Sequence, residues 1–595
     1  MDTEDLLAGL DPEQREVALA TRGPVCVLAG AGTGKTRAIT HRIAYAVATG
    51  VVNPAHVLAV TFTVRAAGEL RGRLRGLGGG AEAVRASTFH SAALRQLTYF
   101  WPRVIGGRPP KLIESKLPLL RETARDMRLR LDGPALADAV TEIEWAKVCQ
   151  VHPGSYAPSA LSAGRAPSAG VEDVARLYQA YEQLRRERQL IDFESVLELT
   201  AAILCTEPAM AREVHAAFRH FTVDEFQDVN PLQKLLLDAW LGGRDDLCVV
   251  GDPQQTIYSF TGATPSYLRE FAADYPGATV LRLVRDYRST PQVVAVANRL
   301  GSARGGPGEQ GGSLVAQRPP GPEPSLSRYA DEEAEAAAVA AQAAALIGRG
   351  VPPREIAILV RINAQTERFE QALAAAKVRF AVRGGERFYE RPEVRQALVL
   401  LRGAARAESD GADEALVPGD LPAAVRHVLA SAGLSVDPPV APGAARDRWE
   451  SLAALAALAQ DAAAARPQTS LADFAAELGR RAETGHAPVA DAVTLATMHA
   501  AKGLEWDAVL LPGLAEGIMP IVHARTPAAV EEERRLLYVA VTRARQHLHL
   551  SWAAARAPGG EQVRQRSRFV GGLLPGSAAS PAPPAARDTA AEARR

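Results

Sequence analysis

From Pro24 onward, short apolar runs rich in β-formers alternate with stretches of helical character: PVCVLA, a helix from Lys35, VLAVT, a helix from Val64, VRAST and a helix from Phe89. Strands covered on both faces read as unbroken apolar runs, and a strand–helix–strand rhythm predicts a parallel sheet. The rhythm stops near Gly106 and a mostly helical stretch continues to about Leu190, interrupted by the small-residue segment HPGSYAPSALSAGRAPSAG, which reads as a loop. It resumes with HFTVDE, a helix from Pro231, LCVVGD and TVLRLV. A first α/β domain is therefore expected in two pieces, 1–105 and 193–284, split by a helical insertion at 106–192.

A second alternation uses LSRYA, an Ala/Glu-rich helix from Asp331, IAILVR, a helix from Asn363 and KVRFAV, then VTLATM, AVLLPG and HLHLSW. Between Arg391 and Pro488 lies an Ala-rich, helix-favouring stretch with Pro and Gly breaks. The second α/β domain is thus expected at 285–390 and 491–570, around a shortened helical insertion at 391–490. The Gly/Pro-rich run from Gly301 to Pro324 reads as a flexible connection, and 571–595 has too few large apolar groups to fold, so a disordered tail is expected there.

Composition adds exclusions. The chain has 595 residues, 47% hydrophobic and 23% charged, which rules out a single small module and a disordered polyampholyte. Its 68 basic and 68 acidic residues cancel, so any nucleic-acid surface has to be a local patch. Cys26, Cys149, Cys205 and Cys248 are scattered without a C-x-x-C pair, against a zinc ribbon or disulfide framework and for a reducing, cytoplasmic location. The acidic start MDTEDLLAGLDPEQREVA lacks the features of a leader and no apolar run reaches the ~18 residues of a membrane span, so neither export nor a membrane partner is expected. Of the 68 cations only seven are lysines, at 35, 111, 116, 147, 234, 377 and 502. A compact ammonium is not replaceable by a planar guanidinium where geometry is tight, so these positions carry information.

Two motifs taken together carry chemistry. Ala29-Gly30-Ala31-Gly32-Thr33-Gly34-Lys35-Thr36 follows an apolar strand and opens a helix, the setting a phosphate-binding loop requires. Its glycines would let backbone N–H groups approach phosphates, Lys35 would reach the β- and γ-phosphates, and the Thr36 hydroxyl would ligate Mg²⁺. Ala29 stands where such loops usually begin with Gly; Arg37 follows the motif and joins the nucleotide-binding candidates. Val223-Asp224-Glu225-Phe226-Gln227-Asp228 ends another apolar run. An isolated Asp-Glu pair also describes a solvated strand end; beside a phosphate loop, Asp224 reads as the Mg²⁺-linked acid and Glu225 as the group that orients the attacking water.

Further blocks follow in order: Gly251-Asp252-Pro253-Gln254-Gln255-Thr256-Ile257-Tyr258-Ser259-Phe260, Asp286-Tyr287-Arg288-Ser289, Thr497-Met498-His499-Ala500-Ala501-Lys502-Gly503-Leu504-Glu505, and Glu533 through Ala544. With Gln14, Thr61-Phe62-Thr63 and Thr88-Phe89-His90-Ser91, this set resembles the superfamily 1 DNA helicases of the UvrD/Rep/PcrA family over about residues 10 to 570. The resemblance implies two RecA-like α/β domains, each with a helical insertion, and an ATP-dependent 3′-to-5′ helicase and translocase of single-stranded DNA, in repair or recombination. It also implies that Gln14 reads the adenine, Tyr287 stacks on it, Glu505 contacts the ribose and Gln255 senses the γ-phosphate. Arg288 and Arg543 would reach the γ-phosphate as arginine fingers, although either alone also describes a surface ion pair.

For single-stranded DNA, flat side chains for base stacking and polar groups for phosphates are needed. The resemblance places Phe62, Phe193, Tyr258 and Phe260 in the first role, with Thr63, His90, Asn363 and His499 on the same track. Each Phe alone also describes a core residue, and each His a capping or core residue. The expected cofactors are ATP and Mg²⁺, and the expected partners single-stranded and 3′-tailed duplex DNA. Three departures stand out. Thr261 replaces the family's Arg before Gly-Ala, the second insertion has no Gly-Ile-Gly duplex grip, and no nuclease motif or further module follows 570. Arg185, Arg186 and Arg188 form a basic helical run that would either hold duplex or face solvent. Two alternatives to the helicase follow: a translocase that removes proteins with little unwinding, and a nucleotide-switched DNA-binding regulatory module.

Overall fold

The computed structural model describes residues 3–131, 133–302, 313–383, 392–409, 420–435, 444–466, 468–484, 491–522, 524–556 and 558–574. The chain divides into two compact units, Met1–Tyr287 with Gly312–Val315, and Arg288–Gly311 with Ala316–Arg595. The first contains β1 (Val25–Ala29), β2 (Val57–Thr61), β3 (Arg85–Thr88), β4 (Lys111–Leu112), β5 (Leu190–Ile191), β6 (His220–Val223), β7 (Leu247–Gly251), β8 (Thr279–Leu283) and β9 (Arg285–Asp286). Six of these make one sheet in the order β3-β2-β6-β7-β1-β8, with every pairing parallel. The apolar runs become strands because helices cover both faces: every residue of β2 and β7 is buried.

Four helices beside the site start where a side chain closes them, whereas the helix Lys35–Ala48 starts at the left-handed Gly34 without a side-chain cap. Thr63 accepts from the Ala66 N–H at the head of Val64–Leu77, and Thr88 from the Ser91 N–H at the head of Phe89–Val104. Asp192 does the same for Phe193–Thr206, and Asn230 and Gln233 cap Pro231–Leu241 reciprocally. These polar groups satisfy N–H donors that the first helical turn leaves unpaired.

Between β4 and β5 lie the helices Leu117–Asp126, Gly133–Val148, Tyr156–Ser162 and Val171–Glu187, which share a core around Leu120, Ile143, Tyr156, Leu177 and Tyr181. The small-residue segment expected to be a loop therefore holds a helix. Tyr156 and Ala160 are fully buried, and the Tyr156 hydroxyl donates to Glu142 at 2.6 Å, so packing overrides the Pro, Gly and Ser content. The basic run is also resolved: Arg185 is buried and donates to Glu182 and to the Leu190 carbonyl, whereas Arg186 and Arg188 are exposed, Arg186 near Glu182 at 3.6 Å and Arg188 paired with Glu122.

The chain passes through β10 (Val315–Ala316) to a second sheet of β11 (Ser325–Asp331), β12 (Ile356–Val360), β13 (Phe380–Arg383), β14 (Val493–Thr497), β15 (Trp506–Leu511) and β16 (Ala544–Ala555). Its order is β11-β16-β15-β12-β14-β13, again parallel throughout. The helix expected from Asn363 opens as a 3-10 turn, Asn363–Gln365, and continues as Thr366–Ala375. Between β13 and β14 the helices Pro392–Ser409, Leu421–Ser431, Ala444–Ala465 and Leu471–Thr484 pack around Leu401, Val425, Leu452 and Leu478. No helix among the described residues is long and apolar enough to cross a membrane. Most of the expected tail, 575–595, and the centre of the expected connection, 303–312, lie outside the described residues.

Candidate functional site

In the first unit β1 runs into a loop and the helix Lys35–Ala48. Gly32 (φ 72°) and Gly34 (φ 78°) adopt left-handed backbone conformations, and neither has room for a side chain. A Cβ on Gly32 would lie 2.4 Å from an Asp286 carboxylate oxygen, and one on Gly34 2.7 Å from the Gln14 amide nitrogen. Gln14 is buried and donates through Nε2 to the Thr33 carbonyl at 3.0 Å, while the Thr33 hydroxyl donates to the Gly30 carbonyl at 2.9 Å. Arg37 donates to the Gly9 carbonyl at 2.7 Å. Tyr287 donates its N–H to the Gly32 carbonyl at 3.0 Å and its hydroxyl to Asp11 at 2.6 Å, with its ring 45% exposed. These contacts place Tyr287 in the first unit, past the expected domain edge at 284, and put Gln14, the loop and Tyr287 in one packed assembly.

The Lys35 ammonium is buried and makes no hydrogen bond with the described residues; the Glu225 carboxylate stands 3.9 Å away. A buried ammonium without acceptors is costly, and an anion in the loop supplies them. The loop N–H groups and the helix N-terminus favour the same sign of charge. The residues present therefore fit the phosphates of a nucleotide.

Asp224 follows β6 and is buried, and its carboxyl is pushed up to about 7 by burial first and the Glu225 charge second, against the pull of Lys35. Glu225 has φ 53°, a left-handed conformation disfavoured for a residue with a Cβ, and its N–H donates back to Asp224 at 2.9 Å. Two adjoining carboxyls that resist shared ionisation suit a divalent cation, with Thr36 heading the loop's helix. Among the described residues no group of three or more His, Cys, Asp or Glu is arranged to hold a metal, so Mg²⁺ here would draw its other oxygens from nucleotide and water. Gln227 is fully buried and connects this pair to the next block: Nε2 donates to Glu225 at 2.5 Å and Oε1 accepts the Asp252 N–H at 3.0 Å. Asp252 in turn accepts from the Gln255 amide at 2.8 Å. A continuous polar path thus runs from Glu225 to Gln255, through a glutamine to which the sequence reading assigned no role.

The stacking candidates follow neighbouring strands. Phe62 and Thr63 come after β2, His90 after β3, and Thr61 is in register with Thr88. Phe62 meets Phe89 edge-on at 6.1 Å, and Phe89 stacks on the buried Trp240 at 5.8 Å, which anchors this corner to the core. Phe193 is 43% exposed and packs edge-on against His90 at 5.9 Å. The His90 imidazole is lowered to about 4, by burial and then by Lys116. Tyr258 is half-buried after β7, and Phe260 lies in the 3-10 turn Ser259–Thr261.

In the second unit the nucleotide candidates gather at the amino ends of β15 and β16. The Arg288 guanidinium pairs with Glu505 at 2.5 Å and donates to the Thr542 carbonyl at 3.2 Å. Arg543 is buried and donates to the Val539 and Leu504 carbonyls at 2.9 and 3.2 Å, closing the end of the helix Pro527–Val541. Arg545, absent from the sequence-derived candidates, bridges Glu505 at 3.3 Å and Asp507 at 2.8 Å and also pairs with Glu355. Although burial opposes ionisation, Arg288 and Arg545 together hold the Glu505 carboxyl below its ordinary range. Asn363 and His499 follow the carboxyl ends of β12 and β14 instead. His499 is lowered to about 4 by burial and then by Arg361, whose guanidinium grips Glu533 in a two-pronged pair.

Comparisons with known proteins show the family. The family model described as the UvrD/REP helicase N-terminal domain matches residues 10–276, and that of the UvrD-like helicase C-terminal domain matches 281–417 and 426–555. The chain is similar to the ATP-dependent DNA helicase UvrD2 of Mycobacterium tuberculosis, 51% identical over 607 residues that cover 100% of this chain and 85% of the relative. It is also similar to UvrD1 of the same species, at 30% identity over 95% of this chain and 85% of the relative, and to PcrA of Bacillus subtilis, at 29% over 96% and 86%. With a phosphate loop, an Asp-Glu pair and an arginine-bearing second sheet joined in this order, and family matches across nearly its whole length, the chain belongs to the UvrD/Rep helicase family.

Proposed function

We propose that this chain is an ATP-driven motor that moves 3′ to 5′ on single-stranded DNA and opens 3′-tailed duplexes in DNA repair or recombination. The observation that carries this reading is the Lys35 ammonium, buried at the head of a glycine-shaped loop without an acceptor among the described residues. ATP with Mg²⁺ supplies the anhydride bond whose cleavage drives the cycle. Lys35 and the loop N–H groups would bind the phosphates, Thr36 and Asp224 would hold Mg²⁺, and Glu225 would orient the attacking water. Arg288 and Arg543 would add positive charge where it develops on the transferred phosphoryl group. Gln14 and Tyr287 would fix the base and Glu505 the ribose. The path from Glu225 through Gln227 and Asp252 to Gln255 would report the state of the phosphate. Phe62, Phe193, Tyr258 and Phe260 would stack bases, with Thr63, His90, Asn363 and His499 beside the backbone.

The deciding measurement is ATP turnover with and without single-stranded DNA, beside unwinding of 3′-tailed and 5′-tailed duplexes. Strong stimulation, and opening of the 3′-tailed substrate alone, are expected; turnover indifferent to DNA would overturn the motor and favour the regulatory module. One observation favours a translocase that unwinds poorly. Thr261, in place of a cation, spends its hydroxyl on the Tyr258 carbonyl at 2.8 Å. Each base-pair step costs about 1.4 kcal/mol of stacking to open. Single-turnover unwinding by the monomer in the presence of a protein trap separates the two.

A further inference from the structure

Four of the seven lysines fall in two kinds of setting. Lys35 and Lys502 lie in glycine-bearing motifs; Lys116 and Lys147 lie in the helical stretch between β4 and β5, far from the nucleotide loop in sequence. Both are buried, with side chains only 5% and 3% exposed. Lys147 Nζ reaches three acceptors at once, Glu182 at 2.7 Å, Ser195 Oγ at 2.9 Å and Asp192 Oδ2 at 3.1 Å. An ammonium presents three donors from a point, whereas a guanidinium presents a flat fork that cannot meet this arrangement. Lys116 Nζ reaches Glu194 at 2.7 Å and Glu144 at 3.0 Å. In a chain with sixty-one arginines, the three-acceptor site of Lys147 is one that a guanidinium does not match.

The two ammoniums converge on one short stretch, Asp192-Phe193-Glu194. Asp192 Oδ2 also accepts from the Tyr181 hydroxyl at 2.8 Å, while its Oδ1 caps the helix Phe193–Thr206 through the Ser195 N–H and hydroxyl. Arg185 completes the group on Glu182 at 2.7 Å. Buried ion pairs contribute little net stability compared with an apolar replacement, but a satisfied network holds one geometry. The residue it holds is Phe193, whose ring stands exposed against the edge of His90. An exposed aromatic at the first position of a helix, clamped on both sides by buried ammoniums, is oriented at the expense of solvation.

We infer that Lys147 and Lys116 are positioning residues for base stacking, holding Asp192-Phe193-Glu194 so that the Phe193 ring presents a fixed face to single-stranded DNA. This rests on the DNA-binding reading above. The test uses the full chain, Lys147→Arg, and Tyr181→Phe as a milder variant that removes one bond to Asp192 and keeps the fold. Each is made alone and together with Phe193→Ala. The readouts are affinity for an oligothymidylate carrying one 2-aminopurine, quenching of that base, and the DNA concentration that half-stimulates ATP turnover. Lys147→Arg and Phe193→Ala are each expected to weaken binding by about tenfold, and Tyr181→Phe by about threefold, with loss of quenching. The half-stimulating DNA concentration should rise while turnover at saturating DNA moves less than about twofold. Combined with Phe193→Ala, both upstream variants should add nothing further. Full additivity in the doubles, or unchanged binding and quenching by a folded Tyr181→Phe and Lys147→Arg, would overturn the positioning role. If Phe193→Ala alone leaves binding and quenching intact, the placement of Phe193 on the DNA track fails, and the lysine proposal with it.

Discussion

The two parallel sheets treat their candidate groups differently. In the first, all but Gln14, which comes from the helix Pro12–Leu19 ahead of β1, follow the carboxyl ends of strands: the phosphate loop after β1, Asp224 after β6, Asp252 and Gln255 after β7, Tyr287 after β8 and β9, and Phe62 and His90 after β2 and β3. In the second, Arg288, Glu505 and Arg543 gather at the amino ends of β15 and β16, while Asn363 and His499 follow the carboxyl ends of β12 and β14. A phosphate grip made of backbone N–H groups needs the turn from strand to helix N-terminus, and that turn exists only at a strand's carboxyl end. A guanidinium carries its own charge on a long stem and can be delivered from any edge that holds it. The first sheet thus builds its site from backbone, and the second from ion pairs.

The largest effect that can break this contrast is at Lys35. Lys35→Ala should bring ATP turnover below detection while leaving the protein folded, because its buried ammonium has no structural acceptor among the described residues. Residual turnover above a hundredth of normal would mean that the backbone grip works without it. Next, Arg543→Ala should lower kcat about 10³-fold with little change in KM for ATP, the signature of charge that matters only in the transition state. A rise in KM alone would make Arg543 a helix-end cap and nothing more.

Gly32→Ala sharpens the backbone side of the comparison. Left-handed φ together with a Cβ 2.4 Å from the Asp286 carboxylate should cost about 2 kcal/mol in denaturant unfolding and abolish nucleotide binding at any salt concentration. Arg545→Met tests the other side. Loosening Glu505 should raise KM for ATP about fivefold, roughly 1 kcal/mol, and the difference from wild type should shrink at high salt because the cluster is partly solvated. Equal salt dependence in both variants would erase the distinction.

The smallest effect at working pH concerns the histidines, one in each unit. His90 and His499, lowered to about 4 in the folded chain, stay neutral from pH 6.5 upward, so they should contribute no pH dependence to DNA affinity there. Because the unfolded chain takes up their protons first, their contribution to stability is complete above 6.5 and is lost as pH falls from 6.5 towards 4. Denaturation midpoints at pH 7.5, 6 and 5 check this: in His90→Gln and His499→Gln the fall should be shallower.

What the sequence determined by itself was local. The apolar runs at Val25–Ala29 and Val57–Thr61 and the glycines that set the phosphate loop act through neighbours a few positions away, so periodicity and turn chemistry exposed them. The ordered motifs carried the family for the same reason. That Thr63, Thr88 and Asp192 cap helices emerged only from the structure. Only the tertiary structure decided which distant polar groups meet: Asp286 beneath Gly32, Gln227 joining Glu225 to Asp252, Arg545 beneath Glu505, and Lys147 among Glu182, Asp192 and Ser195. It also turned an apparent loop into the helix Tyr156–Ser162 and a seemingly solvated Arg185 into a buried partner of Glu182. The physical reason is that burying a polar group commits it to a partner wherever along the chain that partner lies, and that choice is made by packing and desolvation across the folded chain.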